Sequence, residues 1–459
     1  MFTASSRHAT YVPHMPHMPH VPHASRSLRR WAPALALTLC AATVGLQAHA
    51  QQRLTLDQAL RLAQERSRQL PAQDSAAAAA REMALAAGQL PDPILKAGIN
   101  NLPIDGADRF SLTRDFMTMR SLGVMQEFTR DDKRKARAAR FDREADAAMA
   151  GRDAALATLR RDTALAWLDR HYQERMADLL RAMRAETALQ IEAAEAAYRG
   201  GRGSQADVFA ARSAVALIDD RIRQAERQIA TAKTKLARWV GAEADQTLAA
   251  PPAMAAVRLD AARLETQLEH HPQISLMARQ EAQARADADI AQSNKRSDWS
   301  VELMFSQRGS AYSNMVSLNV SIPLQWDPKN RQDREVAAKL AMAAQMRAQR
   351  EEAAREHVAE ARSGLQQWQS NRERLALYDS SLILLAGERT RAAIAAYRGG
   401  AGSLGHVVEA RRMEIDTRME RLRLEMETAG LWAQLEYLIP AEAGAPAADR
   451  PAASKEQPR

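Results

Sequence analysis

The 459-residue chain holds a single cysteine, Cys40, and only 7 Phe, 7 Tyr and 7 Trp, 5% aromatics in all. One cysteine excludes an internal disulfide, and a chain that loses Cys40 with a leader has neither thiolate ligand nor thiol nucleophile. So few aromatics exclude a large aromatic core. Proline is missing from Asp131 to Tyr198, where Gly151 is the one interior glycine, so nothing there breaks a helix. No segment after residue 50 has 18 uninterrupted apolar residues, which excludes a transmembrane helix. Charge of one sign is scarce too. The net charge of +8 includes Arg7, Arg26, Arg29 and Arg30 of a leader without acids. The remainder, 60 Lys and Arg against 56 Asp and Glu, is too balanced for a nucleic-acid partner. No Ser-His-Asp set, phosphate loop or catalytic carboxylate pair occurs, and His171, His270, His271 and His357 lack metal-ligand spacing. Neither enzymatic activity nor a cofactor is expected.

What is abundant is Ala, Arg, Glu, Gln, Leu and Met, within 46% hydrophobic and 26% charged residues. That is the composition of long helices with solvated, ion-paired faces. Residues 1–50 read as a leader. Arg26 to Arg30 is basic, Ala32 to Leu46 apolar, and Ala48-His49-Ala50 a cleavage site before Gln51. Leu39 before Cys40 departs from a lipoprotein box, so ordinary cleavage is expected. The run Pro13-His14 to Pro22-His23, with Met15 and Met18, resembles a copper-binding arm, but it precedes the cleavage site and would leave with the leader. Residues 441–459, rich in Ala, Pro and charge, read as a disordered tail.

The body repeats itself. Ala197-Tyr-Arg-Gly-Gly-Arg-Gly-Ser204 matches Ala396-Tyr-Arg-Gly-Gly-Ala-Gly-Ser403, and Leu56-Asp57 matches Leu259-Asp260. The near-constant offset divides the chain into repeats at 51–255 and 256–440. Each runs through short helices (54–90; 259–296), two strands, a very long helix, a Gly-rich turn and a returning helix. From Asp131 the first long helix spans on the order of 100 Å. Val208, Ala211, Val215, Ile218, Ile222, Ala225, Ile229, Ala232, Leu236 and Trp239 form a coiled-coil seam at 3,4 spacing. Leu375, Tyr378, Leu382 and Leu385, then Ile415, Met419, Leu422, Met426, Ala429 and Ala433, form its counterpart. At the turns the glycines supply positive φ, and Ser204 and Ser403 cap the returning helices.

Strands are expected at Ile94 to Asn101, Leu122 to Phe128, Trp299 to Phe305 and Met315 to Trp326. In the last, Val316, Leu318, Val320, Ile322 and Leu324 share one face and Ser317, Asn319 and Ser321 the other. Alternation alone fits a soluble antiparallel sheet or an outer-membrane strand. The count favours the membrane: four strands cannot close, and an open edge cannot face lipid, whereas three chains supply twelve strands. Met117, Met119 and Met125 flank a strand and read as filler or lipid-facing residues rather than ligands.

With these marks the chain resembles the TolC-type outer-membrane efflux proteins over nearly all of residues 54 to 440. The resemblance rests on Leu54-Thr-Leu-Asp-Gln-Ala-Leu60, the two Tyr-Arg-Gly-Gly…Gly-Ser turns, and Ile322-Pro-Leu324 before a charged helix start. Pro91-Asp-Pro93, Asn100-Asn-Leu-Pro-Ile104 and Met117 to Phe128 resemble the heavy-metal (CzcC-like or CusC-like) branch. The resemblance implies a mainly α chain with four strands. It implies a homotrimer in which a 12-stranded barrel in outer-membrane lipid continues as an α-helical periplasmic barrel. It implies a periplasmic adaptor and an inner-membrane RND pump as partners, and export of heavy-metal cations; drug efflux or type I secretion by the same fold, or a periplasmic coiled-coil scaffold, are the rivals. It makes Arg199, Gly200, Gly203 and Ser204, with Arg398, Gly399, Gly402 and Ser403, the adaptor-docking tips. It makes Asp207, His406 and Glu409 the periplasmic aperture, where His406 in place of an acid would render the ring pH-sensitive.

Overall fold

A computed structural model describes residues 53–439. The expected leader, Cys40, the Pro-His run and the tail lie outside them. Four strands form one antiparallel sheet in chain order: β1 (Ile94–Asn100), β2 (Met119–Phe128), β3 (Trp299–Gln307) and β4 (Met315–Ser321). The central pairing, Phe128 opposite Trp299 through Arg120 opposite Gln307, joins the two halves of the sequence. β1 and β4 are the edges. Of the expected strands, the second begins earlier, at Met119, and the last ends earlier, at Ser321. Pro323 accounts for the latter, since it has no N–H to continue a ladder.

The helices are α1 (Leu56–Arg66), α2 (Gln69–Ala87), α3 (Asp131–Arg199), α4 (Gln205–Val240), α5 (Leu264–Leu268), α6 (Pro272–Ser293), α7 (Gln332–Leu377), α8 (Ile383–Arg398) and α9 (Leu404–Glu436). α3, with 69 residues, extends on the order of 100 Å from the sheet. Near the sheet it packs against α2 and α6, and α6 packs against α7; far from it, α3 packs against α4 and α9. The expected second long helix is interrupted: Tyr378–Leu382 form a π turn between α7 and α8. The extra residue per turn there rotates the following apolar positions away from the seam. Leu382 and Leu385 are accordingly exposed, at 38% and 63%, contrary to the expected seam. The α9 part of that seam is buried at Ile415, Met419, Leu422, Ala429 and Ala433. In α4 Val240, not Trp239, closes the seam.

The principal core lies midway along the hairpins, where α4 ends. Trp167, Tyr172, Leu236, Leu264, Trp368 and Trp432 meet there around the segment that begins the described chain. Leu54 bridges Leu248, and the indole of Trp167 donates to the Leu54 carbonyl at 3.1 Å. Arg170, 4% exposed, donates to the carbonyls of Ala244 and Gln246. Thr55 starts α1 with a capping box: its hydroxyl accepts from Gln58 N–H while the Gln58 side chain accepts from Thr55 N–H.

His271 caps α6, its Nδ1 accepting from Gln273 N–H at 3.3 Å with Pro272 at the first helical position. Burial, with the His357 ring 4.4 Å away and Arg161 nearby, pushes its pKa from the usual 6.5 down to about 4. The unfolded chain therefore binds this proton first. The stability that the neutral ring contributes is complete above pH 6.5 and is lost as pH falls toward 4. His271→Asn keeps a cap acceptor and does not titrate. It is expected to flatten the fall of the thermal midpoint across that window, as followed by circular dichroism.

Candidate functional site: the strand face and the hairpin tips

The pleat sorts the sheet into two faces, and register aligns them across strands. Leu95, Val124, Leu303 and Leu318 form one row, and Leu122, Phe305 and Val316 another. This face is apolar and uncovered: Leu303 is 55% exposed, Leu318 67% and Val316 70%. The opposite face carries Lys96, Ser121, Glu302, Ser306, Ser317 and Asn319, with Lys96 Nζ 2.8 Å from Glu302. An apolar face this continuous on a soluble monomer would be an aggregation liability, whereas facing lipid it loses nothing. Its open edges at β1 and β4 must then be paired by other strands.

The far-end loops, 101–118 and 308–314, lock together. Arg308 donates to the carbonyls of Phe116 and Ser313, and Gly309 lies against the Thr113 carbonyl so closely that a Cβ would overlap it. Gly309→Ala is expected to cost about 1–3 kcal/mol of loop docking. Trypsin should then cleave at Arg109 or Arg114 faster, with helix content unchanged.

The two tips have one geometry. At each, α3 or α8 ends in a Schellman turn. Arg202 N–H bonds Ala197 O and Gly201 N–H bonds Tyr198 O; Ala401 N–H bonds Ala396 O and Gly400 N–H bonds Tyr397 O. The left-handed residues are Gly201 (φ 70) and Gly400 (φ 75), neither of them among the expected tip residues. Gly200 (φ −84) and Gly399 (φ −77) stay right-handed, so it is the second glycine of each Gly-Gly pair that supplies the positive φ expected of the turn glycines. Gly203 and Gly402 serve by close approach: a Cβ on either would stand 3.1 Å from an alanine Cβ of the preceding helix. Arg199 and Arg398 end their helices, and Ser204 and Ser403 cap the next. Ala194, Val208, Ala211, Leu404 and Val407 form a small core that holds the two tips side by side.

The caps differ in one respect that matters for the expected aperture. Asp207 closes a capping box, its carboxylate accepting from Ser204 N–H at 3.0 Å and from the Ser204 hydroxyl at 2.7 Å. These bonds hold its carboxyl below the ordinary aspartate range. At the second tip His406 only donates its N–H to Ser403 Oγ, at 3.4 Å, and its ring is exposed, as is Glu409 three residues on. Just above lies a network that sequence reasoning missed. Glu414, 3% exposed, is bonded by Arg411 at 3.1 Å and Arg418 at 2.7 Å, and Arg411 reaches Glu186 on α3 at 2.5 Å. The i,i+3 and i,i+4 spacing was legible, but it is common on solvated faces. Only the packing of α9 on its neighbours buries this one, with Gly387 of α8 against the Glu414 carboxylate and Glu186 of α3 on Arg411. Among the described residues no three His, Cys, Asp or Glu cluster as metal ligands, and no helix is long and apolar enough to cross a membrane.

No protein-family model and no curated protein matches the chain. Solved structures do. The outer-membrane channel OprN aligns with a TM-score of 0.69 at 17% identity, over 83% of this chain and 89% of its own. CusC, solved in a study of folding and transmembrane channel formation, aligns with a TM-score of 0.69 at 15% identity, over 84% and 92%. The outer membrane protein VceC of Vibrio cholerae aligns with a TM-score of 0.68 at 17% identity, over 83% and 95%. At such identities the likeness shows the fold: a mainly helical chain with a four-stranded antiparallel sheet, as in these outer-membrane proteins.

Proposed function

We propose, from a chain with the fold of outer-membrane channels, that three copies form a duct through the outer membrane and periplasm of a Gram-negative cell. The observation that carries the reading is the uncovered apolar strand face with two unpaired edges, continued by hairpins about 100 Å long. Three copies pair edge to edge into twelve strands, put the apolar faces in lipid and turn Lys96, Glu302 and the serines inward. The duct does no chemistry; an inner-membrane RND pump supplies the energy and a periplasmic adaptor joins the two.

The adaptor meets the paired tips, Arg199 to Ser204 and Arg398 to Ser403, because these are the ends farthest from the sheet and three cations, Arg199, Arg202 and Arg398, stand there. His406 and Glu409 narrow the mouth. Asp207 contributes less than the repeat suggests, since its carboxylate is held by Ser204. His406→Ala is expected to change the single-channel current and cation selectivity, because the side chain it removes lines the mouth beside Glu409. A current and selectivity unchanged from wild type remove His406 from the aperture.

The cargo proposed is a heavy-metal cation, copper and silver or cobalt, zinc and cadmium, on the sequence marks at Pro91 to Pro93, Asn100 to Ile104 and Met117 to Phe128. Growth of a deletion strain, with and without the gene restored, on each metal and on hydrophobic drugs tests it. Metal sensitivity alone supports this cargo, and drug sensitivity alone keeps the duct and replaces the cargo. A chain that fractionates as a soluble periplasmic monomer sinks the duct.

A further inference from the structure

The apolar strand face ends, on the side of the helices, in aromatic rings followed by positive charge. Phe128 and Trp299 stand opposite one another in register with rings stacked at 4.4 Å. Past β4, which ends at Ser321, the sequence alternation of Val316, Leu318 and Val320 continues through Ile322, Leu324 and Trp326. Trp326, at 87%, is the most exposed large apolar side chain among the described residues. Directly after it come Lys329, Arg331 and Arg334, all exposed and none within ion-pair distance of a carboxylate among the described residues. Other cations at this level are paired: Lys133 with Asp298 at 2.6 Å, Lys135 with Asp131 at 2.7 Å, Lys295 with Asp333 at 2.7 Å.

The charge is also one-sided. Segments 88–93, 129–135, 294–298 and 327–334, which join strands to helices, hold nine Lys and Arg against six Asp and Glu. The loops at the other end, 101–118 and 308–314, hold three against three. An indole at the end of a lipid-facing strand seeks the ester region, and cations one turn beyond it stand at the level of headgroup phosphates.

We propose that the β4–α7 junction, Trp326 with Lys329, Arg331 and Arg334, binds the headgroup of an anionic phospholipid in the leaflet nearest the helices. This rests on the membrane reading above. A cation near an anionic lipid surface favours binding roughly five-fold, so three of them set a strong preference over a zwitterionic headgroup. Of the acids nearby, Asp333 is turned to Lys295, while Asp327, which accepts hydrogen bonds from Asn330, and the exposed Glu335 keep their charge, so the three cations still outnumber the unpaired carboxylates.

The test uses the full chain purified from membranes, incubated with phosphatidylglycerol or phosphatidylcholine of one chain length, with native mass spectrometry counting the lipids retained. The expected result is retention of phosphatidylglycerol at least about ten-fold over phosphatidylcholine. Lys329→Gln/Arg331→Gln/Arg334→Gln should bring the ratio near one, and the charge-keeping Lys329→Arg/Arg331→Lys/Arg334→Lys should restore it. A triple glutamine variant that keeps the preference overturns the proposal, as does a preference lost instead in the loop variant Arg109→Gln/Arg114→Gln. If the triple glutamine variant does not assemble, the single substitution Arg331→Gln read by the same ratio replaces it, with an unaltered preference as the overturning result. Wild-type protein present in the outer-membrane fraction without the preference sinks this inference alone. Wild-type protein absent from that fraction sinks the duct with it.

Discussion

On the duct reading proposed above, Leu303→Arg is expected to remove the protein from the outer membrane, whereas Asn319→Arg is expected to leave it there. Leu303 lies at the middle of β3, between Val124 and Leu318 in register, and is 55% exposed on the apolar face. An arginine at the midplane of a lipid-facing strand costs about 2–4 kcal/mol, and a threefold assembly incurs that cost in every copy. Asn319, opposite Glu302, belongs to the polar face, where an added cation meets water and a carboxylate. A soluble scaffold predicts the reverse for Leu303→Arg, because there the substitution replaces exposed apolar surface and raises solubility. Fractionation of both variants, with oligomeric state measured by sedimentation in detergent, decides it. Membrane-inserted trimers of Leu303→Arg at the wild-type level would exclude lipid from this face.

Trp167→Ala should cost about 3–5 kcal/mol, the range for emptying a large buried aromatic site. The ring is 0% exposed at the midpoint of the hairpins, and its indole N–H is one of two donors to the Leu54 carbonyl, the other being Ala249 N–H. Truncation therefore opens a cavity and removes one of the two hydrogen bonds that fasten Leu54. The loss should be felt first at the chain segment it fastens, Leu54 to Leu60, whose exchange with deuterated water should rise before that of α3. Trp167→Phe keeps most of the volume and forfeits the hydrogen bond, so it should cost about 0.5–1.5 kcal/mol beyond the small packing change. Equal losses in the two variants would place the energy in the hydrogen bond instead of the packing.

The fold was legible where a local rule operates without competition. A stretch free of proline from Asp131 became one helix of 69 residues, because each residue had a bond to make and no breaker intervened. Ser204 and Ser403 cap their helices as their place after the glycines suggested. The turn glycines supply positive φ as expected, and the Schellman hydrogen bonds fix which of them does: Gly201 and Gly400. The π turn at Tyr378–Leu382 was illegible, because no proline or glycine marks it and every residue there is an acceptable helix former. The Glu414 network was illegible for another reason. Its members read as an ordinary charged face, and burial comes from the helices packed on α9, α8 beside Glu414 and α3 more than two hundred residues earlier in the chain.

Sequence by itself determined the periods: the helical seams, the alternation along four strands, the two matching turns and the duplication that relates them. Each is a short-range pattern, set by backbone geometry that repeats every few residues. Tertiary structure alone decided what those patterns face. It aligned the apolar residues of all four strands on one uncovered surface, including the β2–β3 pairing across 170 residues of intervening chain. It placed the main core midway along the hairpins rather than at the sheet, and set the tips together over Val208 and Val407. It also left Lys329, Arg331 and Arg334 without acidic partners among the described residues while pairing the cations beside them. The physical reason is that burial and ion pairing depend on which distant segment arrives at a surface, and a period in the sequence carries no record of that.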